Sequence, residues 1–176
     1  MLSLFANMEN PSKRSFSWET DFDVLKRPCD LHYITRSIQF GTSSRSNGSN
    51  SSNGDGGNLI KHVGLYFEWD DRKAVYEAFD VDGWLIPCWF DGSIEESADN
   101  WNIEQTYHCH CSPAEVNSIA KNLPISGVKY NVLLTNCFYW ARQLASQLGV
   151  DLGMSIWTLA RDSVCMLYLG RTSWTE

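Results

Sequence analysis

The segment from Leu59 to Val81 places the strongest constraint on what this 176-residue chain can fold into. It reads LIKHVGLYFEWDDRKAVYEAFDV, two alternating apolar runs that flank the polar cluster Asp70-Asp71-Arg72-Lys73. A period of two is typical of β-strands, because successive side chains point to opposite faces. A short polar break between two such runs therefore predicts an antiparallel hairpin.

The register of this hairpin decides whether two of its polar side chains can meet. A two-residue turn at Asp70-Asp71 places Glu77 opposite Gly64 and one diagonal step from His62, which long side chains can span. A four-residue loop would instead move Glu77 about 13 Å along the sheet. Both registers put His62 and Glu77 on one face, and the sequence leaves the choice open.

Further strands are predicted on both sides of the hairpin. The alternating run from Leu31 to Ile38 favours a strand before it. After it, Gly83-Trp84 and Pro87 break the pattern, so only a short strand is expected at 85–90. The segment from Asn102 to Cys111 predicts another strand.

Two helices are predicted in the C-terminal half. The sequence Ser112-Pro113-Ala114-Glu115 is a capping box with Pro at the first helical position. Asn136 is a good N-cap for a second helix, which Gly149 would end. These elements predict an α+β fold with an antiparallel sheet packed against helices. A short helix and a closing strand are expected between Met154 and Gly170.

Composition narrows the classes of partner. The chain has 14 Lys+Arg against 21 Asp+Glu, a net charge of -7, which disfavours nucleic-acid binding. No apolar run approaches the roughly 18 residues of a membrane-spanning helix, so no stable membrane insertion is expected. The apolar stretch at the start of the chain is too short for a signal peptide. The sequence therefore predicts a cytoplasmic protein with free thiols. The oligomeric state stays open.

The length fits a single domain. Residues 1–40 are expected to form an N-terminal arm and the first strand. Residues 41–58 read GTSSRSNGSNSSNGDGGN and predict a flexible loop, because Gly, Ser and Asn offer nothing to pack. Residues 59–176 hold the core of the domain.

Cys137 is the strongest candidate for a nucleophile. It falls in the first turn of the second predicted helix, directly after Asn136. Unpaired N–H groups and the helix dipole at that end stabilise a thiolate and lower the pKa of the thiol. The alternative is a cysteine that only packs, since Cys is among the most buried residue types.

His62 and Glu77 could complete a catalytic triad. A nucleophilic thiol needs a base and a third group that orients the base. His62 lies near the start of a strand, and Gly64 leaves room on its face for another group or a substrate. Glu77 is a charge within an apolar strand and needs a partner if it is buried. Weaker candidates for contacts to substrate or to an oxyanion are Asn136 and Tyr66.

These residues resemble the circularly permuted papain-like proteins of the NlpC/P60 superfamily. The order is His in KHVGLYF, Glu in AVYEAFD and Cys in YNVLLTNCFYWARQLASQLGV. The superfamily includes the lecithin:retinol acyltransferase-like proteins and the PPPDE deubiquitinating and deSUMOylating peptidases, in which a strand-borne His precedes a helix-borne Cys. The resemblance covers about Leu59 to Val150 and implies a permuted papain-like fold, with residues 59–176 as the thiol hydrolase core.

The resemblance implies Cys137 as nucleophile, His62 as general base and Glu77 in the third polar position. The expected reaction is hydrolysis of an amide, in a peptide, an isopeptide or a small compound, through a thioester and without a cofactor. The backbone N–H of Cys137 would supply part of the oxyanion hole.

Two other functions stay open. The first is a lipid acyltransferase or phospholipase of the lecithin:retinol acyltransferase-like type, acting on an ester. Those members usually carry a second His on the neighbouring strand, and an acidic residue and a His after the Cys, whereas this chain has Glu77, Phe138 and Tyr139. It also lacks an evident transmembrane tail, which moves weight toward an amidase or peptidase. The second is a non-catalytic binding protein on the same fold.

The run Tyr107-His108-Cys109-His110-Cys111 invites a zinc interpretation, which its spacing disfavours. Adjacent residues of a strand point to opposite faces and cannot close one tetrahedron. At best one pair could contribute, either the two histidines or the two cysteines, with partners from elsewhere. No metal site is therefore predicted.

Overall fold

The computed structural model describes residues 14–18, 23–38, 60–97, 99–131 and 134–153. Its five strands form one antiparallel sheet in the order β4-β3-β2-β1-β5, which agrees with a mixed α+β fold. The predicted loop at 41–58 and the elements predicted between Met154 and Gly170 lie outside the described residues. The elements are β1 (Arg27–Ile38), β2 (Ile60–Glu68), β3 (Lys73–Val81), β4 (Trp84–Asp91), β5 (Asn102–Cys111), α1 (Pro113–Asn122) and α2 (Cys137–Gln147).

The β2–β3 hairpin has the register of the two-residue turn. Trp69 and Arg72 exchange backbone hydrogen bonds of 2.8 and 3.4 Å across Asp70-Asp71. Gly64 consequently stands opposite Glu77. The alternative register, with a four-residue loop, is excluded.

β4 extends one residue beyond the predicted 85–90 at each end and runs unbroken through Pro87. Asp82 and Gly83, with φ of 52° and 85°, form the turn that leads into it. Pro87 shares its backbone orientation with Leu85 and Trp89, whose N–H groups bond to segments outside the five strands. Since β4 is an edge strand, the missing N–H of Pro87 removes no bond within the sheet.

Both helices begin at the predicted caps. The hydroxyl of Ser112 accepts a hydrogen bond from the N–H of Glu115 at 3.1 Å. The side-chain oxygen of Asn136 accepts one from the N–H of Tyr139 at 3.0 Å. These bonds satisfy N–H groups that have no acceptor within the helix.

The two faces of the sheet bury different chemistry. Both helices pack on the face that carries Val63, Leu65 and Phe67 of β2, where the main apolar core lies. The opposite face carries a smaller apolar cluster and the buried polar residues His62 and Glu77. That smaller cluster consists of Ile34, Tyr66, Val75, Phe90 and Ile94.

Candidate active site

α2 places Cys137 at its N-terminus. Asn136 has extended backbone angles (φ -133°, ψ 177°), so the chain turns into the helix at Cys137. Cys137 is 9% exposed and belongs to the core between α2 and the sheet. Its sulfur accepts a hydrogen bond from the backbone N–H of Phe138, in the first turn of α2.

Cys137 meets β2 where that strand parts from β3. The described pairing between the two strands starts at Gly64 and Glu77 and runs toward the hairpin turn. Val63 lies just before this point, and its backbone N–H donates to the Cys137 sulfur instead. The thiol therefore reaches His62, the residue before Val63 on the strand. The thiol and the His62 side chain form a hydrogen bond. The opening of the sheet lets a residue from the helix side meet a residue of the opposite face.

His62 is held between the thiol and a carboxylate. Its Nε2 lies 3.0 Å from Oε2 of Glu77, and both side chains are buried. A carboxylate only accepts hydrogen bonds, so Nε2 carries a proton and Nδ1 is left for the Cys137 thiol. The imidazole also stacks on Phe79, with ring centroids 4.6 Å apart and planes at 13°. These contacts fix the tautomer and the orientation of the ring.

Two arginines form ion pairs with Glu77. Arg14 Nε donates to Glu77 Oε1 at 2.5 Å, and Arg36 Nη2 lies 3.6 Å from Oε2. Both arginines also pair with Asp99, and both guanidinium groups lie over the ring of Phe79. Glu77 therefore has the partners that its burial requires.

Opposed effects set the pKa values of the thiol and the imidazole. Burial alone would raise the pKa of Cys137, but the charge and hydrogen bond of His62 and the N–H groups of Val63 and Phe138 lower it below its ordinary value. Burial alone would lower the pKa of His62, but the charge and hydrogen bond of Cys137, together with Glu77, raise it. A lowered thiol pKa beside a raised imidazole pKa favours a thiolate–imidazolium pair.

Glu77 stays ionised beside this pair. Burial would raise its pKa, but the hydrogen bond and charge of His62, then the charges of Arg14 and Arg36, lower it to about 2. At neutral pH, Glu77 is therefore an acceptor for the His62 proton and a counter-charge to the imidazolium.

The space beside Gly64 is filled by a side chain. A Cβ on Gly64 would lie 3.2 Å from the indole of Trp101 and 3.2 Å from the carbonyl oxygen of Tyr76. Trp101 also lies against His62, with ring centroids 5.8 Å apart. The room predicted on this face for another group or a substrate is thus occupied by another group, the Trp101 side chain, which covers the histidine.

Two weaker candidates occupy structural positions. Tyr66 shares the face of His62 but lies four residues along β2, about 13 Å away, and it stacks on His32 with centroids 5.2 Å apart. The structure thus does not bring Tyr66 to the thiol. Asn136 adjoins Cys137, and its side-chain oxygen caps α2.

Sequence reasoning missed the arginine and aspartate partners of Glu77. Arg36 lies directly opposite His62 on β1. A charged residue within an alternating strand was the sequence signal that could have identified it as a partner. Arg14 and Asp99 lie 63 and 85 residues from their partners, Glu77 and Arg14 respectively. No local sequence pattern predicts contacts between residues so far apart in the chain.

The second sequence candidate, the His/Cys run, divides between the two faces of β5. His108 is exposed and bonds to Asp30 at 2.6 Å. Cys109 and Cys111 lie on the other face with Cys29 of β1, and these three sulfurs are all within 4.8 Å of one another. The predicted alternation is confirmed, and the two cysteines acquire a partner from another strand.

Comparisons with known proteins identify no relative. No protein-family model, no curated protein and no solved structure matches this chain. Within the described residues, neither helix is long and apolar enough to cross a bilayer.

Proposed function

We propose that this protein is a cysteine-dependent hydrolase that cleaves an amide bond through a thioester intermediate. The observation that carries the proposal is the chain of contacts from the Cys137 thiol through His62 to Glu77, whose last link is 3.0 Å long. A nucleophile, a base and a residue that orients the base are the three parts that such catalysis needs.

The proposed reaction begins from the thiolate–imidazolium pair. The Cys137 sulfur attacks the substrate carbonyl carbon, and His62 passes its proton to the leaving nitrogen as the C–N bond breaks. Water then attacks the thioester, giving a proton to His62, and the C–S bond breaks to release a carboxylic acid. This step regenerates the thiolate–imidazolium pair.

Helix α2 would also stabilise the oxyanion. Cys137 is the first residue of α2, so its backbone N–H has no acceptor within the helix. A donor at that position, at the positive end of the helix dipole, favours the negative oxygen of the tetrahedral intermediate. The N–H groups of Val63 and Phe138 already bond to the sulfur and would hold the thiolate in place before attack.

The fold that we propose is the circularly permuted papain-like one, with its histidine strand before its cysteine helix. The proposed substrates are a peptide, an isopeptide or a small amide. The proposed setting is the cytoplasm, because the described cysteines are free, including three with sulfurs within 4.8 Å of one another. Closely spaced thiols persist unpaired in reducing compartments.

Trapping the acyl-enzyme tests this function. The full chain is mixed with a panel of activated small amides and peptidyl amides, quenched in acid and examined by intact-mass and peptide mass spectrometry. We expect an acyl adduct on Cys137 that hydroxylamine removes, with release of the amine. Cys137→Ala should abolish both.

A matched control uses a histidine outside the site. His108→Ala, which changes an exposed side chain of β5 paired with Asp30, should acylate and turn over substrate as the wild type does. An adduct on Cys109 rather than Cys137, or none with any member of the panel in folded protein, would argue for a non-catalytic binding protein. Transfer to lipid acceptors in place of water would favour the acyltransferase alternative.

A further inference from the structure

The three-sulfur cluster lies apart from the candidate active site. Cys29 is the third residue of β1, whereas Arg36, the cross-strand partner of His62, is seven positions further along the strand. Seven strand residues span about 23 Å. The cluster is thus at the opposite end of the sheet, where β1 and β5 pair and α1 begins.

The geometry suits a thiophilic metal ion. The sulfurs of Cys109 and Cys111 are 3.9 Å apart, and neither lies more than 4.8 Å from the sulfur of Cys29. With Zn–S bonds of about 2.3 Å, thiolates of one zinc ion lie about 3.8 Å apart in tetrahedral geometry. Small side-chain rotations would bring all three sulfurs to that spacing.

The strand pairing assembles this group. Cys109 and Cys111 are two residues apart on β5, so both point to one face. Cys29 stands directly opposite Cys109 on β1 and shares that face. Two strands therefore fix three ligands before any ion arrives, and Cys29 and Cys111 are 3% and 0% exposed.

An arginine lies on the same sheet face as the cluster. Arg27 is the cross-strand partner of Cys111, so the two side chains share a face. Its Nε is buried and has no hydrogen-bond partner among the described residues, while its terminal nitrogens pair with Asp23 and Asp71. Two carboxylates therefore already balance the charge of Arg27, and the site depends on the three sulfurs.

We propose that Cys29, Cys109 and Cys111 bind a Zn²⁺ ion as thiolates, with the fourth coordination position open to water or an exogenous ligand. Among the described residues, no further His, Cys, Asp or Glu joins the group. Binding displaces the three thiol protons into solvent. The ion would tie β5 to β1 at the point where the chain enters α1.

Cobalt substitution tests the site. The reduced full chain is freed of metal with a chelator and titrated anaerobically with Co²⁺, which reports tetrahedral thiolate coordination through intense visible bands. We expect the bands to saturate at one Co²⁺ per chain and to disappear on addition of one equivalent of Zn²⁺. Cys109→Ser should lose the bands; because this residue is only partly buried, the variant should fold, which circular dichroism checks.

Cys137→Ser is the matched control. It removes a thiol at the other end of the sheet and should leave the cobalt bands unchanged. Wild-type protein with reduced thiols that shows no bands, bands that survive Cys109→Ser, or bands that vanish in Cys137→Ser would each overturn the zinc site. None of these readouts depends on hydrolase activity, so the two proposals fail separately.

Discussion

At the scale of single residues, Glu77 serves two sets of partners. One carboxylate oxygen bonds to His62, and the other bonds to Arg14. Arg14 and Arg36 both form ion pairs with Glu77 and weaken its electrostatic attraction for the imidazolium. Glu77 therefore acts on the imidazole by fixing its orientation as well as by attracting its charge. Removing the charge and removing the whole side chain should therefore differ in effect.

Glu77→Gln and Glu77→Ala separate these two roles. Glutamine keeps an oxygen that can accept from His62 Nε2 but loses the charge that stabilises the imidazolium, so the pKa of Cys137 should rise slightly. Alanine loses both, so the rise should be larger. Both variants leave buried arginines short of a carboxylate and should lose about 3–5 kcal/mol of stability.

The measurement is the pH dependence of Cys137 alkylation, with urea unfolding to identify conditions in which each variant is folded. A folded Glu77→Ala variant with the wild-type profile would show that Glu77 is only a partner for the arginines.

At the scale of the elements, α2 and the hairpin bring the three residues together. The sequence predicts a turn within Asp70-Asp71-Arg72-Lys73, the alternation of β2 and β3 and the Asn136 cap, because these are local features. Together they predict that Cys137, His62 and Glu77 lie close together, and the structure brings the three side chains into contact. The sequence left the hairpin register open, because turn length was ambiguous within Asp70-Asp71-Arg72-Lys73.

The two helix caps provide a matched pair of tests. Asn136→Ala and Ser112→Ala each remove one side-chain cap and should each lower the free energy of unfolding by about 1 kcal/mol. Only Asn136→Ala disturbs the first turn that holds Cys137, so only it should slow alkylation of Cys137 at neutral pH. Urea unfolding and site-resolved alkylation measure the two effects, and an equal slowing by both variants would contradict the role given to the α2 N-terminus.

At the scale of the whole molecule, long-range contacts complete what local pattern begins. Residues 14–18 run beside β4, where Ser15 and Trp89 exchange backbone hydrogen bonds, and this path delivers Arg14 to Glu77. No periodic pattern around residues 14–18 or around Asp99 predicts which residues they contact. The extension of β4 through Pro87 likewise depends on its position at the sheet edge, which only the assembled topology determines.

The pairing of β1 with β5 is a second consequence of the assembled topology. It brings Cys29 to Cys109, although the two lie far apart in sequence. The His/Cys run alone places two cysteines on one face of a strand, and only the sheet order shows that Cys29 joins them.

The central claim is that Cys137 and His62 form a reactive pair, and site-resolved alkylation tests it most directly. Alkylation rates of each cysteine are followed against pH by peptide mass spectrometry, in the wild type and in His62→Ala, with His62→Asn as a second variant should the first not fold. The lowered pKa predicts that Cys137 reacts well below the pKa of about 8.5 of a free thiol. Removing the imidazole should move the increase in the Cys137 alkylation rate to higher pH, because burial, which disfavours the thiolate, is then opposed only by the N–H groups of Val63 and Phe138. The profile of Cys109 should stay unchanged as an internal control. A Cys137 that is inert, or whose profile is the same in folded His62 variants, would contradict the catalytic account.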